Sequence, residues 1–444
     1  MSKDEIGLGD GAKDELIRRF RSRGAKTPAV EAYGNAESAA RRYQSLPEAF
    51  YRFDRFPNYE LMALQKSAAQ QFAIDNPFFR VHEGAAGAKT VIGARQYDNF
   101  SSYNYLGLSH HPRVDAAAKA AIDRYGTSAS ASRLVAGERP VQRDLEQALA
   151  EWIGVEDCIV FVSGHATNVS TIGSLFGPKD LILHDSLIHA SVLDGIKLSG
   201  ATRRSFPHND HAAAEALLGQ LRGQFERVLV VIESLYSMDG DCPDLVRFVE
   251  LKTRHRAFLM VDEAHGLGVL GTTGHGACEQ YGVLPEAVDI HMGTLSKTLA
   301  GCGGFIAGSQ ALVEQLRYYA SGFVYSVGMP PPMAAASLEA LAILREEPER
   351  VTRLQARGRY FLETARAAGI DTGLSQGFAV VPAIVGSSMK AVNLSNALFA
   401  EGINVQPIIY PAVGESAARL RFFLSSEHET ASFDRVIEAI ARLS

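Results

Sequence analysis

The sequence predicts an α/β protein with a mostly parallel central sheet, helices on both faces of that sheet, and a smaller α+β domain at the C-terminus. From about Tyr97 onward, short runs rich in Val, Ile and Leu alternate with helical stretches along the 444-residue chain. Near-continuous apolar runs of this kind are typical of strands buried on both faces of a parallel sheet. The composition changes after Met329–Pro332. We therefore expect residues 1–95 to form an N-terminal extension and helical lead-in, residues 96–330 a large domain, and residues 331–444 the small domain.

The lead-in is polar and favours helix. A basic amphipathic pattern, DELIRRFRSR, is followed after Pro57 by a longer helical pattern, YELMALQKSAAQQFAI, and then by a hairpin pattern, KTVIGARQYDNF, which turns near Gly93. The first pattern carries a basic cluster, Arg18, Arg19, Arg21 and Arg23. This cluster could contact an acidic partner or lipid headgroups, although charged clusters on helices are more often only solvated.

The large domain contains the strands of the predicted sheet, and helices separate several of them. The predicted strands are CIVFVS, LILHD, TRRSF, RVLVVIES, AFLMVDEA, IHMGT and GFIAG. Two helices ahead of them end at Gly126 and Gly154, because glycine commonly follows a helix C-terminus. Beyond Pro332 the sequence predicts one long helix, AAASLEALAILREEPERV, then the strands AVVPAIV, INVQPII and RLRFFLS, and a final helix, FDRVIEAIARL.

Composition argues against several classes of function. The net charge of −6 gives no general attraction to nucleic acid or to an anionic membrane. The four cysteines lie far apart without a CxxC pair, which indicates reduced thiols and no metal site. The first residues lack the apolar segment of a signal peptide, and no run of 18 apolar residues predicts a transmembrane segment. We expect a cytoplasmic protein, with peripheral contact at the inner membrane face left open.

Lys297 is the first candidate for chemistry. It lies in the segment DIHMGTLSKTLAGCGG, where a short apolar run breaks into small residues and ends in Gly303-Gly304. Burial lowers the pKa of an amine, and a neutral amine can form a Schiff base with an aldehyde cofactor. The hydroxyls of Thr294 and Ser296 lie beside it in the sequence, where they would suit a phosphate group. Alternatively, the ammonium group of a lysine at a strand end simply extends into water.

Two other candidates follow the ends of earlier strands. The turn Ser163-Gly164-His165 leads from a strand into a helix, and free N–H groups at a helix start can bind phosphate. Many such turns bind nothing. His189, in HDSLIHASVLDG, could stack on a flat aromatic cofactor, or it could be a hydrogen-bonded core histidine.

Two further strands end in carboxylates. Asp262 and His265 end the apolar run in VDEAH, and a buried carboxylate needs a cationic partner such as a pyridinium nitrogen. An ordinary helix N-cap at Asp262 is the alternative. Glu233 and Ser237 follow RVLVVI, and ligands in open α/β sheets bind outside the carboxyl ends of the strands.

Taken in order, HAS, SMDGD, VDEAH and GTLSK, together with the SGxxxN turn, resemble the α-oxoamine synthases. These are pyridoxal-phosphate (PLP) enzymes of aminotransferase-like fold (fold type I) that condense a small amino acid with an acyl thioester and release carbon dioxide. The match runs from about Tyr97 to Ser444. It implies that residues 96–330 form the PLP-binding domain and that the active site lies between two subunits of a homodimer.

The resemblance also implies roles for individual residues. Lys297 corresponds to the Schiff-base lysine, Asp262 to the partner of the pyridine nitrogen and His189 to the stacking histidine, and these three are the expected catalytic residues. His265 corresponds to the group that bonds the ring hydroxyl oxygen, and Asn104 and Arg421, with His189, to the residues that hold the substrate carboxylate. The expected cofactor-binding set is Ser163, Gly164, His165, His189, Glu233, Ser237, Asp262, His265, Thr294, Ser296, Lys297 and Ser326.

Three positions depart from the family pattern. Position 165 is usually aromatic in the family but is histidine in this chain. The run Tyr325–Gly328 replaces a hydroxyl-rich Ser-Thr-Ser run, and Ile409–Pro411 replaces an Arg-Pro-Pro run. These departures concern the phosphate contact from the neighbouring subunit and an arginine near the substrate carboxylate.

Among the members of the family, the motifs favour a serine palmitoyltransferase-like enzyme that joins L-serine to a long acyl chain carried on coenzyme A or on acyl carrier protein. SYNYLG and SRLVAG carry this expectation, whereas IIYPAV resembles glycine- and aminolevulinate-type synthases. An α-oxoamine synthase that uses glycine or alanine, such as an 8-amino-7-oxononanoate synthase, is the alternative within the family. A plain aminotransferase and a non-catalytic partner subunit are the alternatives from other classes, and the presence of Lys297 argues against the second.

Overall fold

The computed structural model describes residues 46–71 and 74–443. The chain divides into two compact units, residues 1–75 and residues 76–444. In the first unit, Pro57 begins a helix that ends at Gln71, as predicted. Proline suits this first position, since its missing N–H would have no partner there. The pattern DELIRRFRSR and its four arginines lie outside the described residues.

The described chain contains the following strands and helices, numbered in chain order. The strands are β1 (Lys89–Ile92), β2 (Arg95–Asn99), β3 (Asp157–Phe161), β4 (Leu181–Asp185), β5 (Thr202–Phe206), β6 (Val228–Glu233), β7 (Phe258–Asp262), β8 (Ile290–Thr294), β9 (Gly304–Gly308), β10 (Val380–Ile384), β11 (Ile403–Asn404), β12 (Gln406–Ile408) and β13 (Arg419–Phe423). The helices are α1 (Pro57–Gln71), α2 (Pro112–Tyr125), α3 (Pro140–Ile153), α4 (Gly164–Leu175), α5 (Ala190–Ser199), α6 (His211–Leu221), α7 (Leu245–His255), α8 (Ala277–Tyr281), α9 (Gln310–Tyr319), α10 (Ser321–Val324), α11 (Pro331–Glu346), α12 (Glu349–Ala367), α13 (Ser388–Ala400) and α14 (Thr430–Leu443).

The predicted sheet is present, and it contains all of the strands expected in the large domain. Its order is β3-β9-β8-β7-β6-β4-β5. Neighbours from β8 to β5 pair in parallel, whereas β9 is antiparallel to both β3 and β8. The sheet is therefore mixed and mostly parallel, and the carboxyl ends of β8, β7, β6 and β4 lie along one edge.

Strand β6 shows why this sheet needs helices on both faces. Successive side chains of a strand point to opposite faces, and every residue of β6 is buried. Val230 and Ile232 belong to one buried apolar cluster, while Leu229 and Val231 belong to another. Two apolar cores thus lie on opposite sides of the sheet, which is the arrangement that a continuous apolar run predicts.

Two smaller sheets use strands from the C-terminal part of the chain. The predicted hairpin is present, since β1 and β2 pair antiparallel with Lys89 opposite Asp98. The predicted strand INVQPII is divided: Ile403–Asn404 pairs with β2, and Gln406–Ile408 pairs with β13, which also pairs with β10. The domain boundaries at residues 95/96 and 330/331 stay predictions.

The long helix predicted after Pro332 was wrong in its length. Helix α11 ends at Glu346, and a second helix, α12, begins at Glu349. Pro348 lies between them, and proline disfavours helical backbone at the residue before it. Accordingly, Glu347 leaves the helical region with a ψ of 59°. None of the described helices has the length and apolar character needed to cross a membrane.

Candidate active site

Polar side chains gather where neighbouring strands of the main sheet end. Glu233 is the last residue of β6, Asp262 of β7 and Thr294 of β8, and all three are buried. Lys297 follows β8 in the loop that leads to β9. Because parallel strands present their carboxyl ends at one edge, residues far apart in the sequence become neighbours there.

Asp262 is held by a buried amide. Its Oδ2 accepts a hydrogen bond of 2.9 Å from Nδ2 of Asn168, which also donates to the hydroxyl of Ser191 at 2.9 Å. Its Oδ1 accepts from the backbone N–H of Ala264 at 2.9 Å. Turns rather than a helix follow Asp262, so the helix N-cap alternative was wrong. A buried carboxylate fixed by a neutral amide keeps its charge available for a cation.

Lys297 is partly buried, and burial lowers the pKa of its amine to about 8, although the charges of Asp262 and Glu233 oppose this effect. Its Nζ lies 5.6 Å from the centroid of the Tyr103 ring, so the ammonium form faces an aromatic surface. A lysine with a pKa of about 8 is neutral in a substantial fraction of molecules near neutral pH. The amine can therefore act as a nucleophile or accept a proton.

Glu233 differs from Asp262 although their strands are adjacent. Burial raises the pKa of its carboxyl group well above the usual value, and the negative charge of Asp262 raises it further. Its Oε1 has no hydrogen-bond partner among the described residues. Glu233 therefore favours its protonated, uncharged form.

Two of the three predicted histidines, His189 and His265, are each oriented by a hydroxyl group. His189 caps the N-terminus of α5, and its Nδ1 lies 2.7 Å from the hydroxyl oxygen of Ser191. The Nδ1 of His265 lies 2.7 Å from the hydroxyl oxygen of the buried Tyr105. Burial lowers the pKa of both imidazoles, that of His265 to well below its usual value. These fixed rings can serve as hydrogen-bonding and stacking surfaces rather than as charges.

The N-terminus of α4, where Ser163 is the N-cap, lies close to the end of β8. A Cβ atom added to Gly164 would lie 3.1 Å from Oγ1 of Thr294, so these two segments approach closely. The hydroxyl of Thr294 donates to the carbonyl oxygen of Gly303 at 3.0 Å, and that of Ser296 accepts from the N–H of Gly303 at 3.3 Å. Backbone N–H groups and hydroxyls thus converge as a phosphate group requires.

The residues expected near the substrate carboxylate lie in different surroundings. Arg421, on β13, is largely buried and donates from Nη1 to the carbonyl oxygen of Ser237 at 3.1 Å. The amide of Asn104 accepts from the N–H of Ser109 at 3.2 Å and donates to the carbonyl oxygen of Ala86 at 3.4 Å. Nη1 of Arg421 also contacts Sδ of Met238 at 3.2 Å, and its guanidinium lies over the ring of Phe423, whereas Asn104 fixes its own loop.

Two predicted residues lie apart from this cluster, and three contributors were not predicted as site residues. His165 is exposed and pairs with Asp194 at 3.3 Å, and Ser326 follows α10 rather than a strand of the sheet. Asn168, Tyr103 and Tyr105 support Asp262, Lys297 and His265, respectively. The motifs SGxxxN and SYNYLG contain these three residues, but a motif does not reveal which charged group each side chain will contact.

The cluster fits PLP. Asp262 provides the carboxylate for a pyridinium nitrogen, Lys297 the amine for an aldehyde, and the turn at Gly164 a place for phosphate. Oδ1 of Asn168 and Oε1 of Glu233 are buried without a hydrogen-bond partner in the described part of the chain, so polar atoms remain for a ligand.

Comparison with known proteins agrees with this assignment. The family model "Aminotransferase class I and II" matches residues 96–440. The chain is 42% identical to a putative 8-amino-7-oxononanoate synthase of Gloeobacter violaceus over 82% of its length and 93% of the relative. It is 38% identical to the 8-amino-7-oxononanoate synthase of Symbiobacterium thermophilum over 80% of its length and 90% of the relative.

Solved structures give the same fold. Serine palmitoyltransferase from Sphingomonas wittichii superposes with a TM-score of 0.83 at 28% identity, covering 87% of this chain and 97% of that one. The 8-amino-7-oxononanoate synthase from Francisella tularensis superposes with a TM-score of 0.67 at 27% identity, covering 78% and 96% of the two chains.

The fold and the site define a PLP-dependent C-acyltransferase of fold type I. More particularly, the chain belongs to the α-oxoamine synthase family, and its cofactor is pyridoxal 5′-phosphate.

The expectation of a serine palmitoyltransferase was wrong. Relatives named 8-amino-7-oxononanoate synthase are 35–42% identical to this chain, whereas the serine palmitoyltransferase structure is only 28% identical. Short motifs such as SYNYLG lie around the common cofactor, and they therefore report the shared chemistry better than the identity of the substrates.

Proposed function

We propose that this enzyme is an α-oxoamine synthase of the 8-amino-7-oxononanoate synthase type. The observation that carries this proposal is the set of relatives with that name, which are 35–42% identical to this chain and are matched over 89–95% of their lengths. The product name itself specifies the substrates. A methyl-bearing amino carbon next to a ketone derives from L-alanine, and the other seven carbons derive from a dicarboxylic acyl thioester. Carbon dioxide and a free thiol leave.

Lys297 is the proposed base. Its amine, with a pKa of about 8, would hold the aldehyde of PLP and would then accept the α-proton of the amino acid. Bound PLP supplies an electron-accepting ring that stabilises the negative charge left at the α-carbon. The carboxylate of Asp262 would hold the ring nitrogen of bound PLP and favour its protonated form. Protonated Glu233 adds no second negative charge that would compete for this proton.

The remaining side chains bind and orient. His189 would stack on the ring of bound PLP, and His265 would bind its hydroxyl oxygen, with burial lowering the pKa of both imidazoles. The turn at Ser163–His165, with Thr294 and Ser296, receives the phosphate, and Arg421 receives the amino-acid carboxylate through two N–H groups. The proposed contacts also include Asn104 with the substrate carboxylate, and Ser237 and Ser326 with the cofactor.

The proposed partners are a second copy of this chain and an acyl donor. A homodimer would bring the segment containing Ser326 to the cofactor of its neighbour. The donor would be a coenzyme A thioester or an acyl carrier protein. Arg18, Arg19, Arg21 and Arg23, for which contact with an acidic partner was one of the alternatives, lie outside the described residues.

The test is a substrate panel with the purified holoenzyme. L-alanine, glycine and L-serine are each offered with a seven-carbon dicarboxylic acyl thioester, on coenzyme A or on acyl carrier protein, and the products are identified by mass. We expect L-alanine to give the nine-carbon amino ketone fastest. Turnover of serine or glycine alone would contradict the proposed function, and comparison of the two donors identifies the carrier.

A further inference from the structure

His208 lies between two buried carboxylates at the strand-end edge of the main sheet. Its Nδ1 is 2.9 Å from Oδ1 of Asp185, and its Nε2 is 3.0 Å from Oδ2 of Asp241. Asp185 ends β4 and is fully buried, and Asp241 follows β6. The ring of Tyr236 meets the imidazole edge-to-face, with 4.5 Å between the ring centroids. His208 therefore joins two segments that both lead into the active site.

This arrangement requires a protonated imidazole. A neutral ring would turn one nitrogen lone pair toward a carboxylate oxygen, whereas the charged ring donates from both nitrogens. Asp185 and Asp241 together raise the pKa of His208 to about 10, although its burial opposes this. No other ionised side chain is within hydrogen-bond distance of the ring among the described residues.

Asn209 reinforces the same connection. Its backbone N–H donates to Oδ2 of Asp185 at 2.7 Å, and its side-chain amide donates to Oδ2 of Asp241 at 2.7 Å. Its φ of 55° is a left-handed conformation, which asparagine adopts more readily than most residues. His208 and Asn209 thus both hydrogen-bond to Asp185 and Asp241.

Each carboxylate fixes a segment that carries site residues. Asp185 also accepts from the N–H of Leu187 at 2.8 Å, and His189 follows two residues later. The loop after β6 closes on itself through the N–H of Tyr236, which donates to the carbonyl oxygen of Asp241 at 2.9 Å. The position of Asp241 therefore sets the position of this loop.

The loop in turn presents acceptors to two arginines of β13. Nη1 of Arg421 donates to the carbonyl oxygen of Ser237 at 3.1 Å. Nη1 of Arg419 donates to the carbonyl oxygen of Met238 at 2.9 Å and to Oδ1 of Asp239 at 2.6 Å. A shift of this loop would move the guanidinium that is proposed to hold the amino-acid carboxylate.

We propose that His208 is a positioning residue: it ties the segment after β4 to the loop after β6 and thereby holds Arg421 in place for the carboxylate of the amino acid. The inference rests on the proposed function only in taking Arg421 as the carboxylate-binding residue. His208 contacts both carboxylates directly, and it acts on Arg421 only through them.

The experiment compares His208→Gln with His211→Gln. Gln carries no charge and cannot replace both charge-assisted hydrogen bonds of the imidazolium. His211, three residues away at the start of α6, makes no side-chain hydrogen bond to the described residues. Hydrogen–deuterium exchange of peptides covering 234–241 is measured on the purified holoenzyme. The dissociation constant of L-alanine is measured on the same samples from the visible spectrum of the cofactor.

For His208→Gln we expect exchange in 234–241 to accelerate about tenfold and the dissociation constant of L-alanine to rise about tenfold, because a charge-assisted hydrogen bond is lost. His211→Gln should match the wild type in both. Unchanged exchange, or faster exchange with unchanged L-alanine affinity, would overturn the proposal. If His208→Gln does not fold, Asp241→Asn provides the same comparison under the same criteria.

A failure of the proposed function gives a different result. If the wild type does not respond to L-alanine, glycine is used as the probe, and the exchange comparison is unaffected by that choice. If neither amino acid alters the wild-type spectrum, the proposed function fails, and the positioning role is judged by exchange in 234–241 alone.

Discussion

At the scale of single residues, the environment of Lys297 decides its chemistry. Burial lowers the pKa of the amine to about 8, while two carboxyl groups nearby limit the fall. At physiological pH, an amine with a pKa near 8 gains or loses a proton at little cost in free energy. A general base requires this property.

We therefore expect Lys297→Ala to abolish formation of the amino ketone, since no other amine would be placed to accept the α-proton. Product formation is measured by mass after extended incubation with excess PLP. Lys197→Ala removes an exposed lysine of α5 and serves as the matched control. Near-wild-type product from Lys297→Ala would remove this lysine from its proposed role.

Asp262 gives a second test at this scale. Asp262→Asn retains an oxygen that can accept from Asn168 but removes the negative charge. We expect PLP to bind while exchange of the α-hydrogen of L-alanine with deuterated solvent slows about 100-fold or more. The rate is followed by nuclear magnetic resonance of the amino acid. An unchanged exchange rate would contradict the assigned partnership with the ring nitrogen.

At the scale of elements, the sequence predicted which strands carry the site but not how their ends are connected. Apolar runs that stop at Glu233, Asp262 and Thr294 are visible in the sequence, because strand burial and strand length are local properties. The bonds of Asn168 to Asp262 and of His208 to Asp241 join residues 94 and 33 positions apart. Only the three-dimensional arrangement of the sheet brings such pairs together.

The close approach of α4 to β8 predicts an effect of Gly164→Ala. The added methyl would lie 3.1 Å from the hydroxyl oxygen of Thr294 and would narrow the proposed phosphate site. We expect the dissociation constant of PLP to rise about fivefold to tenfold, as measured by fluorescence titration of the apo-enzyme. Gly177→Ala, whose Cβ would meet nothing within 4 Å, is the control. Equal affinity in all three proteins would argue against a phosphate at this turn.

The connection through His208 predicts a pH dependence of stability. The folded-state pKa is raised from 6.5 to about 10, so its contribution is fully present below pH 6.5 and is lost as the pH rises through 10. We expect the difference in free energy of unfolding between wild type and His208→Gln to fall by at most about 4 kcal/mol between pH 7 and pH 10.5. Denaturant titrations at each pH measure the free energy of unfolding of both proteins. If the difference between them did not change with pH, the imidazole of His208 would not be charged.

At the scale of the whole molecule, the exposed side chains beside α10 are unusual. Tyr325 is 87% exposed and Val327 is 46% exposed, although Met329, a few residues later, is buried. Together with Ser326 they form the segment that is proposed to contact a second copy of the chain.

We expect a homodimer at assay concentration, because the proposed active site takes its phosphate contact at Ser326 from a neighbouring copy. Sedimentation velocity measures the state, and the double substitution Tyr325→Asp with Val327→Asp should shift it toward monomer with loss of turnover. Leu374→Asp changes a residue that is 64% exposed elsewhere on the surface and should leave the dimer intact. A fully active monomer would overturn the prediction.

The antiparallel strand β9 also constrains how the enzyme is made. Its five residues hydrogen-bond to β3 on one side and to β8 on the other, although β3 leaves the ribosome some 150 residues earlier. The turn at Gly164 and the loop that carries Lys297 therefore acquire their final positions only after residue 308 has been synthesised. A growing chain cannot hold its cofactor before that point. During translation, the edge of β3 that pairs with β9 stays unpaired until β9 has been synthesised. In this interval an unpaired strand edge can pair with a wrong strand.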